Sequence, residues 1–199
     1  MLSDERKKEI YSKAQDVNEI SEKYQLIHAT FAVQKMVNEK INQTYAQEFK
    51  KLRKVLLEDN LTDEKQRQIL EKKKALEIES RKKRMNISIQ YIDSLKGMNA
   101  TTTKVGIYKN SFIISLPQEL GSIRNQDGNF DYEKMRKLRW LMAHELGHIL
   151  LHSDCIDENG FLEKNGNEED ECDFFAESII KLRQERNKKF YSNSNFSKI

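Results

Sequence analysis

One proline and seven glycines stand among 199 residues. A chain so poor in turn-forming residues is predicted to fold into long, uninterrupted helices. Cysteine is as scarce: Cys155 and Cys172 are the only two, which excludes a disulfide framework. No run of about 18 apolar residues occurs, so no membrane-spanning helix is expected. The opening residues, MLSDERKKEI, lack the apolar stretch of a secretory leader. Together these absences predict a soluble, cytoplasmic protein that does not engage a membrane. With 37% hydrophobic and 34% charged residues, the core must be small for the length.

What is present begins with charge. Residues 1–98 carry 21 basic and 16 acidic side chains, and residues 99–199 carry 14 and 16. An excess of this size, spread over a helical segment, reads as a solvated surface, and direct nucleic-acid binding is not expected. The cluster Arg81-Lys82-Lys83-Arg84 is read the same way.

Apolar residues between positions 4 and 57 recur in steps of three, four and seven, through Ile10, Val17, Ile20, Tyr24, Ile27, Phe31, Ile41, Tyr45, Leu52 and Val55. That period predicts one long helix with a single buried stripe. Gln34, Asn38 and Glu48 interrupt the stripe, so it is not a clean coiled-coil seam. Thr62 is a plausible N-cap for a second helix over 63–95, in which 86–92 also alternates like a short strand. Past Gly97 the stretch Thr101–Leu116 is rich in β-branched and aromatic residues. It predicts a hairpin with strands near Lys104–Tyr108 and Phe112–Leu116. Asp131 is a good N-cap for a helix running to Leu151, and a last helix is expected over Glu168–Arg186.

The sequence Ala143–His152 reads A-H-E-L-G-H-I-L-L-H. It holds His144 and His148 at i and i+4, on one helix face, where both imidazoles can reach one metal ion. Glu145, beside the first histidine, is placed to take a proton from water as a general base. The flanking residues Trp140, Leu141, Met142, Ala143, Leu146, Ile149, Leu150 and Leu151 make this helix apolar nearly all round, hence buried. Two histidines and a glutamate buried without partners would cost several kcal/mol, a cost that a metal removes. Gly147 leaves room for another segment to pass close by. His152, about 12 Å beyond His144 along a helix, cannot join the pair on one ion. A third histidine in the spacing His-Glu-x-x-His-x-x-Gly-x-x-His is also excluded, because Leu151 takes the glycine position and Asp154 the last one. A third ligand is therefore sought in E-E-D-E-C-D-F-F-A-E-S-I-I. On a helical wheel Glu171 falls at the edge of the buried stripe, whereas Asp170, Asp173 and Glu177 fall on the wet face. Glu171 is the preferred ligand, with Glu168 and Glu169 as rivals.

The segment M-A-H-E-L-G-H-I-L-L-H, followed some twenty residues later by E-C-D-F-F-A, resembles the ImmA/IrrE family of zinc peptidases. The strand-rich stretch before it and the basic run Arg136-Lys137-Leu138-Arg139 are similar too. The resemblance covers roughly 98–182. It implies a gluzincin-like site holding one zinc ion on His144, His148 and Glu171, with Glu145 as general base. It also implies cleavage or inactivation of a helix-turn-helix transcriptional repressor. Two features depart from the family pattern: Ile179-Ile180-Lys181-Leu182 replaces a Leu-Leu-Met-Pro-like stop, and residues 1–96 lie outside the family core.

The expected fold is α+β. A zincin-like metallopeptidase core is expected over 97–190, a helical hairpin arm over 1–96 that binds substrate, a second copy or another protein, and a frayed tail over 191–199. The leading function is a zinc metalloendopeptidase acting on a protein regulator. A zinc aminopeptidase or general protease ranks below it. The alternative outside enzymology is a zinc-stabilised interaction module that acts by binding.

Overall fold

A computed structural model describes residues 2–23, 29–57, 61–95, 99–105, 110–125, 127–162 and 164–193, with side chains to 188. The described chain is α+β. Helices α1 (Asp4–Lys23), α2 (Ala29–Leu56) and α3 (Asp63–Lys83) lead into strands β1 (Asn86–Ile92), β2 (Thr101–Lys104) and β3 (Ser111–Pro117). Helix α4 (Tyr132–Leu151), the short strands β4 (Ile156–Asp157) and β5 (Gly160–Phe161), and α5 (Glu168–Asn193) complete it. The sheet has the order β1-β3-β2, with β1 parallel and β2 antiparallel to β3. No described helix is long and apolar enough to cross a membrane.

Local chemistry sets these boundaries. The Thr62 hydroxyl accepts from Lys65 N at 3.4 Å and opens α3. The Asp131 carboxylate accepts from Lys134 N at 3.0 Å and opens α4. The single proline, Pro117, is the last residue of β3.

Several expectations are corrected. The helix expected over 63–95 ends at Lys83, because Arg84 turns to extended backbone, and the alternating residues after it form β1. The stripe over 4–57 belongs to two helices, with residues 24–28 outside the described set. The first hairpin strand lies at Thr101–Lys104 rather than 104–108, whose residues 106–109 also lie outside it. The last helix runs on to Asn193, so the tail expected from 191 begins within it, and 194–199 are outside the described residues.

The largest correction concerns the arm. Strand β1 pairs along its full length with β3, so the boundary expected at 97 runs through one sheet. Helix α1 packs on α5 and α2, burying Ile10, Ala14 and Val17 completely in the same core as Phe112, Ile114, Leu146 and Phe175. The near half of α2 packs on α4 and β1. Only α3, packed chiefly on α2 with Ser80 its one buried residue, keeps the character of an arm.

The polar residues that interrupt the α2 stripe hold the sheet. Asn38 receives Met85 N at 2.9 Å and donates to Met85 O at 3.0 Å, while Gln34 receives Ile87 N at 3.2 Å. They satisfy backbone groups at the start of β1, an edge strand that would otherwise present unpaired donors.

A chain beginning at Asn99 would lack a strand, two core helices and these contacts. It is expected to be insoluble or unfolded by circular dichroism, whereas a foldable fragment would show that α1, α2 and β1 are dispensable. In the full chain, Ile10→Ala is expected to cost about 2–5 kcal/mol of stability in denaturant unfolding.

Candidate metal centre

Helices α4 and α5 run antiparallel and meet at Gly147. A Cβ there would lie 3.1 Å from Cys172 Cα and 3.2 Å from its Sγ. The missing side chain lets the two backbones approach, as the sequence suggested, and α5 is the segment that does so. The approach brings two ladders of side chains face to face. His144 and His148 stand one turn apart on α4, and Glu169 and Asp173 stand one turn apart on α5.

The two imidazoles converge, with His144 Nε2 3.0 Å from His148 Nε2. The Glu169 carboxylate faces both, with Oε2 3.1 Å from His144 Nε2 and Oε1 3.5 Å from His148 Nε2. Glu145 offers a further carboxylate oxygen within 4.8 Å of the histidine nitrogens, and the three buried groups could hold a metal ion. Both histidines and Glu145 are buried, whereas the Glu169 side chain is 52% exposed, so the site opens on the α5 side.

The far nitrogens also have neighbours. Asp173 Oδ1 lies 2.8 Å from His144 Nδ1, at ion-pair distance though outside hydrogen-bond alignment. Cys172 Sγ lies 3.2 Å from His148 Nδ1. Burial pushes the Cys172 thiol well above its usual range, so it stays protonated and uncharged. Burial, helped by the neighbouring His144 and His152, pushes His148 down to about 3 and keeps that ring neutral. A neutral histidine with its proton on Nδ1 leaves Nε2 as a lone pair, the form in which it binds a metal. Trp140 stacks on His144 at 5.1 Å between ring centres, and Phe161 of β5 covers His148 at 3.9 Å.

Glu145 is held from the sheet. Thr102 Oγ1 on β2 donates to Glu145 Oε2 at 2.6 Å, leaving the other oxygen uncommitted to Thr102. Burial raises the Glu145 pKa, and the Thr102 hydroxyl draws it part of the way back. A carboxylate tuned upward in this way is a better proton acceptor than an exposed one.

Glu171, the ligand expected from the wheel, does not reach the histidine pair. It is buried, as its position on the stripe requires, but its partner is a cation from α1. Arg6 grips both oxygens, with Nε 2.9 Å from Oε1, and His152 Nε2 lies 3.2 Å from Oε2. The wheel identified a carboxylate in need of a partner and could not show that the partner is Arg6. Glu168, the other rival, is consumed by the loop before α5. It accepts from Lys164 N, Asn165 N and Asn167 N at 3.0, 2.7 and 3.1 Å. Burial works against its charge, yet those backbone donors prevail and hold the carboxyl at about 2. Asp154 is exposed beside Lys164, away from the site, and His152 caps the C-terminus of α4. Glu169 ranked only as a rival, and Asp173 fell on the wet face, because a wheel ranks burial and the side of α5 that lines the site is half exposed. Thr102 was missed because its partner, Glu145, is 43 residues away on another element. The matched i, i+4 spacing of Glu169 and Asp173 against His144 and His148 was the signal available.

No protein-family model, curated protein or solved structure matches this chain.

Two outcomes follow from the geometry. Glu169→Ala is expected to abolish retention of a divalent ion, measured by elemental analysis, while Glu171→Ala retains it and loses about 1–3 kcal/mol of stability by stranding Arg6. Gly147→Ala should gain about 1 kcal/mol in helix propensity. It should lose more, about 1–3 kcal/mol, to the clash with Cys172, so the melting temperature falls.

Proposed function

We propose that the chain is a zinc-dependent endopeptidase acting on a protein regulator, with a zincin-like centre formed by His144, His148 and Glu169 and with Glu145 as general base. One observation carries this reading. Two ligand atoms of a tetrahedral zinc ion, each about 2.0–2.1 Å from the metal, stand about 3.3 Å apart. His144 Nε2 stands 3.0 Å from His148 Nε2 and 3.1 Å from Glu169 Oε2, and His148 Nε2 stands 3.5 Å from the other oxygen of the same carboxylate. One proton shared between the rings would satisfy one nitrogen and leave the carboxylate against the other's lone pair. A divalent cation satisfies all three donors, and imidazole with carboxylate is a donor set that zinc accepts.

Bound there, zinc would supply a Lewis acid that polarises a peptide carbonyl and lowers the pKa of water toward about 7. The chain's own groups do the rest. Glu145 takes the proton from the attacking water and delivers it to the leaving amine. Thr102 fixes one Glu145 oxygen so that the other is aimed into the site. The Asp173 carboxylate beside His144 Nδ1 favours a proton on that nitrogen, which leaves Nε2 of the neutral ring as the lone pair for the metal. The resemblance to ImmA/IrrE peptidases supports a helix-turn-helix repressor as the regulator. A cytoplasmic setting fits the absence of a membrane-spanning helix among the described residues.

The test is metal analysis of the purified chain together with cleavage of a co-expressed repressor encoded beside it. Glu145→Gln is expected to keep the fold and the metal and to lose hydrolysis by about 100-fold or more. Cleavage that survives in the purified variant would refute the mechanism. Relief of repression by Glu145→Gln equal to wild type, with no fragment formed, would favour a metal-stabilised binding module instead.

A further inference from the structure

The two ladders of the metal centre continue beyond it. Toward the start of α4 and the end of α5, the next turn after His144 and Asp173 brings Trp140 and Glu177, and the turn after that brings Arg136 and Lys181. All four line one cleft of about 830 Å³. Its floor is apolar, formed by Met142, Ala143 and Ile179, and its rim is cationic. Arg136, Lys137, Arg139, Lys181 and Arg183 line it against two carboxylates, Glu133 and Glu177. Among the described residues, Arg136, Lys137, Arg139 and Lys181 make no ion pair. Burial, together with Arg186 and Arg139 close by, holds Arg183 below the usual arginine range, as expected where positive charge is crowded.

We infer that this cleft binds an acidic, amphipathic stretch of the substrate protein and so selects which peptide bond is presented to the metal centre. The inference deepens the peptidase reading and rests on it. The cleft and the site share α4 and α5 as walls, with the face of Trp140 spanning the step between them. Arg136 lies two turns from His144, about 12 Å at 1.5 Å per residue. An extended peptide advances about 3.3–3.4 Å per residue. The selected substrates therefore carry Asp or Glu three or four residues from the bond that is cut, with an apolar side chain beside it for the floor. A nucleic acid fits less well. A phosphate backbone following the groove would meet Glu177, Asp173 and Glu169, and the apolar floor offers it nothing.

The experiment separates the cleft from catalysis. The full-length Glu145→Gln chain, loaded with zinc, is titrated into fluorescein-labelled probes and followed by anisotropy. The probes are a peptide alternating Glu and Leu, the same peptide with Gln for Glu, and a DNA duplex. The Glu peptide is expected to bind about tenfold or more tighter than the Gln peptide, the gain from two or three partly desolvated ion pairs, and to weaken with salt. Arg136→Glu with Arg139→Glu should erase that preference at unchanged zinc content. Arg136→Gln with Arg139→Gln, a milder pair, covers the case in which charge reversal disturbs the fold. Equal binding of the two peptides, or a preference that survives both pairs of substitutions, overturns the inference. So does tighter binding of the duplex that the same substitutions abolish. In a second arm, wild-type enzyme cuts a randomised peptide library, with Asp and Glu expected three or four residues from the cut and Lys and Arg in their place for the charge-reversed variant. A library left wholly uncut would count against the peptidase reading, while the anisotropy still decides the cleft.

Discussion

Everything at the centre of this protein depends on how closely two helix backbones approach at Gly147 and Cys172. A side chain on α4 at that point would push α5 outward by several tenths of an ångström. Metal-ligand distances tolerate only a few tenths of an ångström. The same contact sets the pairing of the ladders, so that each histidine meets a carboxylate at its own level on α5. Gly147 is not needed here for an unusual backbone angle. It sits within an ordinary helix, and its contribution is the space that its absent side chain leaves.

Around that contact the molecule supplies stiffness from both sides. The sheet reaches Glu145 through Thr102, and the first helix reaches α5 through Arg6. Neither of these residues faces the histidine nitrogens, yet each fixes an element that does. The Arg6–Glu171 pair lies mostly out of solvent and is gripped through two nitrogens, the geometry in which an ion pair gives direction as well as attraction. Cys172, uncharged at 3.2 Å from a histidine, completes the packing without competing as a thiolate.

Much of this was legible in the sequence, where a local rule applied. The caps Thr62 and Asp131, the buried helix of His144 and His148, and a close approach at Gly147 follow from residue type and spacing alone. What the sequence concealed was partnership across long separations. Glu171 stood out as a carboxylate needing a cation, but the cation comes from residue 6. Gln34 and Asn38 looked like flaws in an apolar stripe, and they are clamps for β1. Asp173 looked like part of a solvated face, and Glu169 stood only as a rival to Glu171, because the side of a helix that lines an open site has the same composition as one that faces bulk water.

The grip of Arg6 on Glu171 joins positions 165 residues apart in the chain. Such a contact cannot form while the polypeptide is still short. During synthesis, α1 can pack early on α2, but the face of α1 that α5 covers stays open until the last helix has been made. Contacts this distant fold slowly, and apolar stripes left open in the meantime attract other chains. The pairing of α4 with α5 that brings His144, His148 and Glu169 together is therefore completed only when the last helix has been made.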